Sequence, residues 1–209
     1  MVIQPRNDLH EGFHLAPDEE QLQEIRELNC LFLRFLQAAA RSGAACLGLD
    51  PSVAEPLRRA SSARIERIAG FPRALFSLDL EDGSSLGGKL DLPRSSLEQT
   101  REALTLTVLL CAWNMSRRRA FQARMFLGLS GTAIRCLRTL PLSELHQFRR
   151  SPRLLSCAFP GAPGLWAGLL RQPDTGVPRA LTLIGLQPNL RSAHPDPMPP
   201  YRSASRAAR

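Results

Sequence analysis

The sequence has no long apolar segment. Its longest run without a charged side chain extends from 154 to 170 and contains Pro160 and Pro163. A membrane-spanning helix needs about 20 mostly apolar residues, so we expect no transmembrane segment and no membrane partner. The N-terminal segment carries acidic residues and lacks the apolar core and small-residue cleavage site of a secretory signal. We therefore expect a cytoplasmic protein.

Cysteine is scarce, and its spacing fits neither disulfides nor metal binding. The five cysteines, at 30, 46, 111, 136 and 157, form no CxxC pair, which argues against a disulfide framework and a zinc ribbon. The segment HEGFH at 10–14 matches the zinc-protease pattern HExxH. That chemistry requires a helix packed into a core, and Gly12 and Pro17 do not favour one. We expect free thiols and no metal site.

Signatures of catalysis are also missing. No GxSxG, P-loop or GxGxxG pattern occurs in a strand–turn–helix context. A cysteine nucleophile needs a basic partner, and Cys136 and Cys157 lie in apolar segments without one. The sequence predicts no active site, no cofactor and no enzymatic function.

Lysine is almost absent, and charge is unevenly distributed. Of the 27 basic residues, 26 are arginine and Lys89 is the exception. Either phosphate recognition or a GC-rich genome explains this excess. The second explanation is favoured because residues 1–100, the acidic half of the chain, also use only arginine apart from Lys89. Residues 1–100 contain 11 basic and 15 acidic residues, and 101–209 contain 16 basic and 4 acidic ones. The C-terminal part is therefore the part that could face a polyanion.

Two arginine clusters lie in this basic part, Arg117 to Arg119 with Arg124, and Arg149, Arg150 and Arg153. Such clusters either contact phosphates or end a helix in solvent. For runs this short the second interpretation is the commoner one.

An internal repeat is the most informative pattern that is present. Residues 47–78 align without a gap on 127–158, and eight of the 32 positions are identical. Chance would give about two or three in this composition. An amphipathic helix precedes each copy, predicted at 18–41 and from Ser95 or Ser96 to Arg117–Arg119. Arg34 interrupts the apolar face of the first helix.

Each copy is predicted to contain two short helices and an extended apolar stretch. Asp50 and Ser130 are the expected N-caps. The short helices are predicted at 51–59, 62–69, 131–139 and 141–150, the second of each pair ending before a proline. Either pair could form a helix-turn-helix or a plain helical hairpin. The stretches ALFSLDL and LLSCAF are too short to predict a sheet.

The order of these features resembles FlhD, the bacterial flagellar transcriptional activator. Residues Glu24 to Asn29, then Phe32, Leu33 and Gln37, precede LGL, two short helices and LFSLDLED. The second copy follows the same order with LTLTVLLCAW, MFLGLS, LRTLPLSEL and RLLSCAF. The resemblance covers most of residues 20–188 as two tandem copies.

The resemblance implies an all-α, mainly helical subunit with short extended segments. It also implies two tandem repeats that form a pseudo-dimer within one chain. The expected organisation is a flexible N-terminus at 1–17, repeats at 18–101 and 102–188, and a disordered basic tail at 189–209. The expected residues of the interface between the repeats are Leu28, Phe32, Phe35, Leu104, Val108 and Trp113.

The resemblance further implies a role in transcription. Such a subunit joins a second activator subunit, and the zinc of the complex belongs to that second subunit. Together the two subunits bind promoter DNA of flagellar genes and engage RNA polymerase. The DNA-contacting region of the family maps onto 81–101 and 161–179, with DNA contacts expected from Arg94, Arg101, Arg171 and Arg179. We expect the second copy to bind DNA and the first to pair and to dock partners. The alternative is a diverged paralogue that titrates the partner without binding DNA.

Overall fold

The computed structural model describes residues 19–44, 47–80, 95–151, 153–160 and 162–171. These residues form eight helices and two short strands, and 71% of them are helical. The prediction of a mainly helical chain is confirmed. The HEGFH segment, Cys46 and the C-terminal tail lie outside the described residues.

The N-terminal half, which we define as the described residues 19–80, is built around one long helix. Helix α1 spans Glu19–Ser42, α2 Pro51–Arg58 and α3 Ser62–Ala69, and strand β1 spans Phe76–Leu78. Apolar residues at helical spacing give α1 a buried side, on which α2 and α3 both pack. The Asp50 carboxylate accepts from the Ser52 hydroxyl and, as the cap of α2, from the Ser52 N–H at 2.8 Å. These two hydrogen bonds lower the pKa of Asp50.

The C-terminal half, the described residues 95–171, contains five helices and one strand. Helix α4 spans Ser96–Arg118, α5 Ala120–Leu127, α6 Gly131–Thr139, α7 Leu142–Phe148 and α8 Pro163–Arg171, and strand β2 spans Leu155–Cys157. The predicted cap Ser130 is confirmed by its bond to the Ala133 N–H at 3.0 Å. Helix α5 was not predicted. Helix α3 has the predicted bounds, and α7 ends at Phe148, two residues before the predicted end at 150.

A capping box starts α4. The Glu98 N–H donates to the Ser95 hydroxyl at 3.2 Å, and the Ser95 N–H donates to the Glu98 carboxylate at 3.0 Å. Replacing Ser95 with alanine should lower the free energy of unfolding by about 1 kcal/mol, because a helix N–H loses its partner. Thermal unfolding measures this loss. Ser96→Ala is the control, and an equal effect of both changes would contradict the assignment.

The two halves are joined by a small antiparallel sheet. Phe76 pairs with Cys157, Ser77 with Ser156 and Leu78 with Leu155. The ladder continues beyond the strands at both ends, since the Asp79 N–H donates to the Leu154 carbonyl and the Ala158 N–H to the Leu75 carbonyl, each at 2.9 Å. The segments judged too short to predict a sheet therefore pair with each other.

One hydrophobic core runs through both halves. Helix α1 packs against α4, and α8 packs across the chain onto α2 and α3 of the N-terminal half. Of the expected interface residues, Trp113 is half-buried against the core and the others are buried in it: Leu28, Phe32, Phe35, Leu104 and Val108. Trp166 of α8 is 1% exposed and belongs to this core.

Arg34 does not interrupt the apolar side of α1, contrary to the expectation from the sequence. Its side chain is 59% exposed and forms an ion pair with Glu66 of α3 at 3.5 Å. Its chain neighbours Leu33 and Phe35 are both buried, so the buried side of α1 continues past Arg34. Among the helices described, none is long and apolar enough to cross a bilayer.

Candidate nucleic-acid interface

A buried asparagine organises the N-terminal half. Asn29 of α1 is fully buried, and its amide nitrogen donates to the carbonyls of Ala69, Phe71 and Arg73 at 3.3, 3.1 and 2.8 Å. Its side-chain oxygen accepts from the Leu75 N–H at 2.8 Å. Asn29 thus holds the segment between α3 and β1 against α1.

Gln37 of α1 and Trp113 of α4 make matching hydrogen bonds in the two halves, each to a main-chain carbonyl between two short helices. Gln37 donates to the Ala60 carbonyl at 2.8 Å, and the Trp113 indole N–H donates to the Leu140 carbonyl at 2.8 Å. In both halves the long helix is therefore bonded to the link between its two short helices. The guanidinium of Arg117 lies over the Trp113 ring at 4.7 Å, an attractive cation–π contact.

Helices α2 and α6 differ in charge at corresponding positions. On α2, Glu55 forms ion pairs with Arg58 and Arg59, both at 2.7 Å. The Arg58 guanidinium lowers the pKa of the Glu55 carboxyl, and Glu55 in turn raises the pKa of Arg58. Counting by the repeat offset of 80, Glu55 corresponds to Arg135 of α6.

The arginines of α6 have no acidic partner within the described residues. Arg135 and Arg138 are exposed on the outer side of α6, and Arg135 donates to the Thr132 hydroxyl at 3.3 Å. Arg124 of α5, which packs against α4 and α6, is also exposed and without an ion pair in the part of the chain described. We call Arg124, Arg135 and Arg138 the basic patch. It can offer guanidinium groups to phosphate oxygens without breaking existing ion pairs.

The overall charge of the two halves follows the same contrast. Residues 19–80 contain eight arginines and eight acidic residues, while residues 95–171 contain eleven arginines and three acidic residues. Part of this excess is compensated locally: Arg118 and Arg119 line a groove shared with Glu20, Glu24 and Glu27 of α1. Arg149 lies 3.9 Å from Glu102.

The arginines that the resemblance pointed to are not brought together among the described residues. Arg101 is half-buried on α4, and Arg171 is exposed at the end of α8, which packs on the N-terminal half. Arg94 and Arg179 lie outside the described residues. Sequence reasoning did not select Arg135 as a site residue, although the alignment of 47–78 with 127–158 places Glu55 opposite Arg135.

The described cysteines are free thiols. Cys111 and Cys157 are buried, and Cys30 and Cys136 are half-buried. The Cys111 thiol donates to the Glu24 carboxylate at 3.1 Å across the contact between α1 and α4. Burial and this bond raise the pKa of Cys111, so the group is a neutral thiol and a poor nucleophile at neutral pH. Within the described ranges no three ligand side chains are grouped to hold a metal ion.

No family model matches this chain, and neither a curated protein nor a solved structure does.

Proposed function

We propose that this protein is a DNA-binding subunit of a transcriptional regulator resembling FlhD, and that its C-terminal half binds promoter DNA. The contrast between Glu55 and Arg135 carries the proposal, because it leaves the arginines of α6 unneutralised while those of α2 are held in ion pairs. Unpaired guanidinium groups on an outer helix surface suit the phosphates of a duplex.

The two halves are proposed to be related copies that pack as a pseudo-dimer. The antiparallel pairing of β1 with β2 supports this, because the two strands lie in the segments 47–78 and 127–158 that align with each other. A self-complementary contact of this kind is what a two-fold interface requires. The matching bonds of Gln37 and Trp113 support it as well.

The N-terminal half is proposed to dock protein partners, namely a second, zinc-binding activator subunit and RNA polymerase. Its arginines are balanced by acidic residues, and Glu19, Glu20 and Glu27 lie exposed on the first half of α1. Such a surface repels nucleic acid. The same observation favours the alternative function, a diverged paralogue that binds the partner subunit and thereby titrates it.

A binding titration across a salt series distinguishes these functions. The full chain, with and without the partner subunit, is titrated with a labelled duplex from a flagellar promoter. About four phosphate contacts would reduce the association constant roughly 100-fold between 50 and 200 mM salt. Binding to the partner without salt-dependent DNA binding would contradict DNA recognition and support titration.

A further inference from the structure

One aromatic ring lies exposed within the basic C-terminal half. Phe121 is 59% exposed, more than any other large hydrophobic residue described. It belongs to the first turn of α5, which follows a break in the helix at Arg119, where φ is −144° and ψ is 60°. The described residues between α1 and α2 contain no counterpart of this helix.

The surroundings of Phe121 are positively charged. Arg124 lies one turn later on α5, and residues three apart lie on the same side of a helix. Arg117 precedes the break and is held over Trp113. From Ala103 to Ser143 the chain contains six arginines and no acidic residue, and two of the six, Arg118 and Arg119, line the groove shared with acidic residues of α1. An apolar ring in such a position fits a partner that combines negative charge with flat apolar surfaces, as nucleic acid does.

We infer that Phe121 inserts as a wedge at a base step of the duplex that the basic patch binds. This inference rests on the proposed DNA-binding function and adds how the duplex is engaged. Proteins that kink DNA place an apolar side chain between bases while arginines hold the flanking backbone. Platforms for single strands instead use several aromatic rings in succession, and the other described phenylalanine and tryptophan rings are buried or half-buried. A single exposed phenylalanine therefore favours a duplex.

The test compares Phe121→Ala and Phe121→Leu with the unchanged chain. Affinity is measured by anisotropy on a 30-base-pair duplex and on one of its strands, and bending by energy transfer between dyes at the duplex ends. Leu31→Ala is the matched control, because Leu31 is 48% exposed on α1. Circular dichroism verifies that each variant is folded.

The expected result is about tenfold weaker duplex binding by Phe121→Ala, with an unchanged salt slope and loss of the bend. Phe121→Leu should retain most of the affinity, because a leucine also serves as a wedge. Equal binding and bending by Phe121→Ala and the unchanged chain would overturn the wedge and leave the proposed function standing. A loss confined to the single strand would overturn it in favour of base stacking. Failure of the unchanged chain to bind any duplex would remove the proposed function itself.

Discussion

Replacing Asn29 with alanine should lower the free energy of unfolding by about 4 kcal/mol. The amide makes four hydrogen bonds to main-chain groups of residues 69–75. A buried donor or acceptor left without its partner costs about 1–3 kcal/mol. Relaxation of the segment recovers part of the combined loss. Urea denaturation followed by circular dichroism measures the change.

Thr105→Ala is the matched control for Asn29, because Thr105 takes the corresponding place on α4 under the alignment of Leu28 with Leu104. Among the described residues its hydroxyl bonds only to the Arg101 carbonyl of its own helix, at 2.8 Å, so its loss should cost about 1 kcal/mol or less. Asn29→Asp keeps the acceptor for Leu75 but loses the donors, and should be as destabilising as alanine. Equal stability of the Asn29 and Thr105 variants would contradict the proposed role.

Replacing Arg135 and Arg138 together with alanine should weaken DNA binding about 30-fold at 0.15 M salt. Each phosphate contact contributes about 0.9 to the slope of log K against log salt, so the slope should fall by about 1.8. Both side chains are exposed, and the free energy of unfolding should change by less than about 0.5 kcal/mol per residue. A salt series of anisotropy titrations measures both quantities.

Two variants with the same change in net charge separate contact from general attraction. Arg58→Ala with Arg59→Ala removes the ion-paired arginines of α2 and should alter affinity less than about threefold. Arg171→Ala with Arg179→Ala tests the region that the resemblance assigns to DNA. Suppose that Arg171→Ala with Arg179→Ala flattens the salt dependence of DNA binding while the double variant of α6 leaves it unchanged. The DNA interface then lies in the region of 161–179, and the assignment of DNA binding to the basic patch is wrong.

The boundaries of most helices, α5 excepted, were predictable to within one or two residues because they depend on local chemistry. Asp50 and Ser130 were identified as caps, and both bond to an N–H two or three residues later. The function of Asn29 was not predictable in the same way, although it belongs to the segment that carries the resemblance to FlhD. Its partners lie 40 to 46 residues away, and no spacing rule connects positions that distant.

The candidate interface was only partly foreseen. Sequence reasoning located excess positive charge in the C-terminal part of the chain, and the exposed arginines of α5 and α6 lie there. It could not distinguish paired from unpaired arginines. Glu55 is bound by both Arg58 and Arg59, and the contrast with Arg135 becomes meaningful only once those bonds are known.

The sequence by itself determined the helical class, the caps and the similarity between residues 47–78 and 127–158, since each depends on residues close together in the chain or on direct comparison of segments. Tertiary structure alone decided that β1 pairs with β2 and that α8 packs on α2 and α3. Strands of three residues have too little local preference to reveal their partner. Their main-chain groups are satisfied only when the core brings the two halves together.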